Sequence, residues 1–214
     1  MKTATTTDLA DSPLDRDASQ LGMWIFLATE VLFFGSLFAV FAVYRWEHAA
    51  AFAAAAAKME QGLGALNTAV LLTSSLTMAA AAHRSGEERH RDAARWLLAT
   101  IVLGAAFLGI KGLEYAHHLR DGLWPGPGFR WDGDAAQAGP ARLYFALYFC
   151  LTGLHALHML AGLAAAAVAA RLSWTGAINR VSRAAVENTG LYWHFVDVVW
   201  IWLFPVLYLL RRSG

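Results

Sequence analysis

The chain has 214 residues, 57% of them hydrophobic and only 15% charged, with a formal net charge of +1. A water-soluble domain of this length rarely carries so few charges, and the near balance of acids and bases argues against a nucleic-acid binder. Nine tryptophans and a positive mean hydropathy fit a membrane protein with aromatic belts at its interfaces.

The first twenty residues are polar and acidic, with Asp8, Asp11, Asp15 and Asp17. They lack the basic start and short apolar centre of a secretory signal, and read as a polar tail (1–20) ahead of a membrane domain (21–214). Span one is expected over about 21–44, unbroken except for Glu30. As the tenth residue of the span, that carboxyl lies roughly 13 Å deep at 1.5 Å rise per residue. At that depth it has to be neutral or hydrogen-bonded. It reads either as a group that glues helices together or as one that handles protons or contacts lipid. The alanine run that follows favours helix, along the interface or extending a span. Span two, about 62–83, is rich in small residues that let backbones approach, and its Asn67, Thr73, Ser74 and Ser75 can hydrogen-bond across helices.

A short loop then sets Arg84, Arg89, Arg91 and Arg95 against Glu87, Glu88 and Asp92. Span three, about 96–117, ends in the cluster Lys111, Glu114, Tyr115, His117 and His118. Lys111 and Glu114 are one turn apart and read as a structural ion pair near the far interface. Residues 119–140 hold three of the five prolines and form an extramembrane loop too short to be a domain. Span four, about 141–171, places His155 and His158 at i, i+3, with Gly153 and Gly162 nearby. Its Cys150 is the single cysteine, so no intramolecular disulfide forms; it reads as a small buried hydrophobe. Span five, about 190–210, carries His194 and Asp197 at i, i+3 in its first half, with Trp193, Trp200 and Trp202 around them.

These elements define an all-α fold, a polytopic membrane bundle of five transmembrane helices with its ends on opposite sides. A slight excess of Lys and Arg, concentrated in the compact second loop, puts the N-terminus in the cytoplasm and the C-terminus outside. Counting depth along the spans sets Glu30 and His155 at similar levels. The expectation is one polar band of Glu30, His155, His158, His194 and Asp197 inside the bundle, with no metal site and no catalytic residue.

Four stretches, GMWIFLATEVLFF with Glu30, LNTAVLLTSS, LTGLHALHMLAGL and YWHFVDVVWIWLFPVLYL, stand in the order found in subunit III of the haem-copper respiratory oxidases, and the chain resembles that family over most of residues 21–210. Among its members the cytochrome c oxidase type of the bacterial inner membrane is the first expectation. Five spans match the family's shorter form, without the two helices that open the seven-helix form. The resemblance implies an accessory subunit with no haem or copper of its own, those groups being held by partner subunits I and II. It further implies support for proton uptake and stability during O2 reduction, with Glu30 as the principal residue. Bound phospholipid is implied too, carried over here to Glu30, His155, His158, His194 and Trp193.

Subunit III of a quinol oxidase or of a nitric oxide reductase complex is the alternative within the same lineage. From other classes come a di-haem b-type cytochrome, using His155 or His158 with His194, and a proton-coupled transporter with Glu30 as carrier. An odd span count without an inverted repeat argues against the transporter. One cysteine, and histidines with other candidate partners, argue against metal ligation.

Overall fold

A computed structural model describes residues 13–175 and 180–209. The first part of the polar tail, residues 1–12, lies outside the described residues, as do positions 210–214. From Pro13 onward the tail is already helical, continuous with span one.

The chain forms α1 (Pro13–Glu47), α2 (Ala49–Ala56), α3 (Gln61–Gly86), α4 (His90–Arg120), a single 3-10 turn (Ala135–Gln137), α5 (Ala138–Thr175), α6 (Arg180–Phe204) and a terminal π-helical turn (Pro205–Leu209), with no strand among the described residues. Five of the helices are long and apolar enough to cross a membrane. Each outruns the span read from hydropathy because its polar ends continue past the hydrocarbon core. The short α2 is a helix of its own between the first two spans, and it packs inward. Its Ala51, Phe52, Ala55 and Ala56 are buried, and the Phe52 ring packs on Phe41 of α1 at 5.4 Å and Tyr144 of α5 at 5.4 Å.

α3 and α4 form a hairpin, α5 packs on α4, and α6 closes the bundle against α3 and α5. In lipid no hydrophobic force draws helices together, so close backbone approach and hydrogen bonds have to do it. Thr77 of α3 and Thr100 of α4 share a hydrogen bond of 2.7 Å. The indole N–H groups of Trp193 and Trp200, seven residues apart on one face of α6, donate to Ser74 and Thr68 of α3, each at 3.1 Å. Trp193 reaches across the interior into a slot that glycine alone leaves open. A Cβ on Gly104 of α4 would lie 2.7 Å from its ring, and one on Gly162 of α5 would lie 3.1 Å away. Cys150, expected inside, faces outward; a thiol makes no demand for burial when the surrounding solvent is hydrocarbon.

The loop between α4 and α5 is folded back on that end of the bundle. Gly122 turns the chain with φ +74°, its carbonyl accepts from the Arg130 N–H at 2.8 Å, and the Arg142 Nε donates to Pro125 O at 2.9 Å. Lys58, just past α2, reaches Asp132 at 2.6 Å, a hydrogen bond that holds this exposed carboxyl below the usual carboxylate range.

Filling the tryptophan slot should be costly. Gly104→Leu is expected to destabilise the bundle by about 1–3 kcal/mol through overpacking, seen as earlier thermal unfolding in detergent. Gly109→Leu, at a helical glycine with open space beyond it, should unfold like the parent.

Candidate functional site

α1 stands at the edge of the bundle and touches it along a narrow seam. Its buried apolar side chains are Leu27, Phe34 and Phe41, spaced seven apart, which on a helix is one stripe. Glu30 lies on that stripe between Leu27 and Phe34 and therefore faces protein. Its Oε2 is 3.0 Å from Nε2 of His158 on α5, and both side chains are 18% exposed. The other ring nitrogen, Nδ1, is 2.8 Å from Leu154 O, a carbonyl that can only accept, so Nδ1 carries a hydrogen. A bare carboxylate facing a bare Nε2 would set two acceptors against each other. The contact therefore holds one proton, either on Glu30 donating to a neutral ring or on an imidazolium donating to the carboxylate. In both arrangements the pair is neutral overall, as its depth requires. Phe34 meets the His158 ring edge-on at 5.1 Å, so with Glu30 and Leu154 O the imidazole is held from three sides, and Tyr192 donates to the backbone carbonyl of His158 at 3.1 Å.

The other expected members of the polar band are dispersed. Glu30 pairs with His158 and not with His155. His155 is 1% exposed in an aromatic box, its ring 5.3 Å from Trp200 and 5.5 Å from Phe107, and neither nitrogen has a partner among the described residues. His194 and Asp197 share one side of α6 but do not bond. His194 turns to α3, where Nδ1 lies 2.7 Å from Ser75 Oγ, while Asp197 is 3% exposed beside the same serine with no hydrogen bond closed to either oxygen. His155 and Trp193 are each 1% exposed, drawn into the bundle by the aromatic box and the glycine slots. What does face outward is a pair of apolar grooves flanking α1. One, about 700 Å³, runs between α1 and α6 past Trp24, Leu27, Val31, Phe195 and His194. The second, about 570 Å³, runs along α5 past Phe26, Ala161, Ala165 and Tyr192.

The most connected polar cluster lies elsewhere. Lys111 and Glu114 of α4 contact at 3.0 Å, the ion pair expected from their spacing, and they are 6% and 0% exposed. Because α4 runs on to Arg120, Lys111 lies roughly 13 Å inside its end. The ammonium also donates to the hydroxyls of Tyr148 on α5 (3.0 Å) and Tyr208 in the terminal turn (2.8 Å), and both phenols donate to Glu114 Oε1, at 2.7 and 2.5 Å. Three ammonium hydrogens thus meet three acceptors, and both carboxylate oxygens are filled. Rings of Tyr148, Tyr115, Trp200 and Tyr208 stand 5.0–5.5 Å from Nζ, close enough for cation–π attraction. Pro205 has no N–H to continue the helix, and the π turn after it sends carbonyls to side chains: Tyr144 donates to Leu207 O at 2.6 Å and Gln61 to Tyr208 O at 3.1 Å. Tyr148 and Tyr208 were not singled out in the sequence, whereas Ser75 was, as a residue able to hydrogen-bond across helices. The available signal was a phenol or hydroxyl in an apolar run, which has to find a partner.

No three His, Cys, Asp or Glu side chains converge on a point that would hold a metal ion among the described residues. His158 has both nitrogens engaged and His194 has one, so the imidazoles serve neighbouring side chains and backbone. A helical bundle with five helices long and apolar enough to cross a membrane defines a multi-pass membrane protein. The sequence profile described as Cytochrome c oxidase subunit III matches residues 6–122 and 135–211. The chain belongs to that family, and so to the subunit III proteins of haem-copper oxidase complexes. It is 33% identical over 190 residues to cytochrome bo(3) ubiquinol oxidase subunit 3 of Pseudomonas aeruginosa, covering 88% of this chain and 83% of that protein. It is 31% identical over 195 residues to quinol oxidase subunit 3 of Bacillus spizizenii and 30% identical over 195 residues to that of Bacillus subtilis, in both cases covering 91% of this chain and 88% of the relative. The cytochrome c type, expected first, fits these relatives less well than the quinol alternative.

Breaking the Lys111 cluster from one side should be severe. Lys111→Met strands a buried carboxylate and is expected to cost about 3–5 kcal/mol. Adding Glu114→Gln should recover most of the lost thermal stability in detergent, because the remaining groups are then neutral.

Proposed function

We propose that this chain is the non-redox subunit III of a quinol-oxidising haem-copper terminal oxidase in the bacterial inner membrane. The observation that carries the reading is the family match along both flanks of the loop, joined to relatives named as ubiquinol and quinol oxidase subunits. In this reading the chain packs on subunit I, with subunit II in the same complex. Haem and copper belong to those partners, and the N-terminus is cytoplasmic with the C-terminus outside. The bundle contributes a rigid apolar body and one protonatable pair at its edge, Glu30 with His158, beside two grooves suited to acyl chains. Phospholipid in those grooves meets His194, which lines one of them, and passes Glu30, not the interior groups His155 and Trp193. The pair supports proton uptake and the durability of the complex at high turnover, since a contact that can carry its one proton on either partner tolerates changes in local charge without exposing an unpaired ion.

Isolation of the tagged chain in mild detergent tests the reading. It is expected to bring down a larger haem- and copper-containing polypeptide, and the complex should reduce O2 with ubiquinol and not with reduced cytochrome c. Oxidation of cytochrome c at the faster rate would overturn the choice of donor, and recovery without such a partner would overturn the accessory role. Glu30→Gln keeps a donor toward His158 and should leave assembly and redox spectra intact while altering proton uptake or shortening activity at high turnover. Proton uptake and durability equal to the parent's would argue that Glu30 only fastens α1.

A further inference from the structure

The hairpin joining α3 to α4 gathers Arg84, Arg89 and Arg95 around a pocket of about 420 Å³ whose other walls are Asp92, Trp96 and Ala99. Loop arginines beside a membrane are commonplace and by themselves say only which side faces the cytoplasm. Here they are held in place. Asp92, in the first turn of α4, takes Arg89 on one oxygen at 2.7 Å and Arg95 on the other at 3.1 Å. Arg84, at the end of α3, is steadied by Glu87 at 2.9 Å. Each guanidinium has five N–H donors in a rigid fork, so one carboxylate contact leaves the remaining edges free. Counting Glu87 beside Arg84, the cluster carries three positive charges and two negative, a net positive charge with free guanidinium edges that suits an anion.

The lower wall says what kind of anion. Trp96 is 41% exposed where the arginines give way to apolar residues, the depth at which an indole sits at the boundary of headgroups and acyl chains. Below it the outer face of α4 continues with Leu98 and Val102, 47% and 67% exposed. Guanidinium above and bare hydrocarbon below match one amphiphile, a phosphodiester carrying acyl chains.

We propose that this pocket seats the phosphate of an anionic phospholipid of the phosphatidylglycerol class, with an acyl chain lying along Ala99 and Val102. The site is separate from the grooves beside α1. It rests on the chain lying in a membrane and not on its oxidase partnership, so the two readings fail independently. The zwitterionic headgroup of phosphatidylcholine brings a quaternary ammonium toward the arginines and is disfavoured there.

The test is native mass spectrometry of the full chain in mild detergent, with partners if they accompany it, titrated with phosphatidylglycerol and with phosphatidylcholine of the same chain length. The parent should retain one phosphatidylglycerol in preference to phosphatidylcholine. Replacing all three arginines by glutamine should weaken that retention roughly a hundredfold, and Arg95→Gln alone roughly fivefold, at the usual contribution of a basic residue near an anionic lipid. Phosphatidylcholine retention should not change, and Arg91→Gln, outside the pocket, should behave as the parent. The proposal is overturned if the parent holds both lipids equally, if Arg95→Gln and the triple variant retain phosphatidylglycerol undiminished, or if inorganic phosphate displaces the lipid at equal concentration, which would mark a site for free anions.

Discussion

Inside a bilayer a charged or hydrogen-bonding side chain has no water to turn to, and this chain carries a lysine and a glutamate deep in one helix. The contact between Lys111 and Glu114 is therefore the point from which much of the packing can be understood. An ion pair alone would leave two ammonium hydrogens and one carboxylate oxygen unsatisfied, at a cost the low dielectric makes large. Tyr148 and Tyr208 meet that demand, and in doing so tie α5 and the terminal turn to α4. The π turn after Pro205 belongs to the same arrangement, since it carries Tyr208 to the lysine while Tyr144 and Gln61 take up carbonyls that the widened turn releases.

Against this fixed interior α1 is attached differently. Leu27, Phe34 and Phe41 give it one apolar stripe, and the proton held between Glu30 and His158 is its polar fastening along that stripe. Grooves open on both sides of the helix. The molecule thus joins a four-helix body to an edge helix whose polar contact can hold its one proton on either partner and stay neutral overall.

Much of the architecture was legible in the sequence, for a physical reason. Hydrocarbon thickness imposes long apolar runs, so five spans and the all-α class follow from hydropathy alone. The Glu30 contact was half legible. Depth counting along the spans placed the carboxyl level with His155 and set His158 nearer the inner face, whereas the partner is His158, one helical turn away. Rotation about the helix axis decides which of the two it meets, and α1 is apolar on every side, so its sevenfold stripe does not stand out from the rest. The same blindness hid how deeply Trp193 and His155 are buried. A tryptophan near a span's start reads as an interface anchor unless Gly104 and Gly162, distant in sequence, are known to open a slot for it. The i, i+3 spacing of His194 and Asp197 was real, yet a shared helix face does not ensure a bond when Ser75 on the adjacent helix is the better-aimed partner.

The central claim is that the Lys111 cluster and the Glu30–His158 pair fasten the helices of this chain and that redox chemistry is left to other polypeptides. Its most direct measurement is the metal content and visible absorption spectrum of the chain produced alone in a membrane supplied with haem, iron and copper. The account predicts no Soret band and no stoichiometric iron or copper. A haem spectrum that persists in the purified chain, and that is lost when His155 or His194 is replaced, would contradict it.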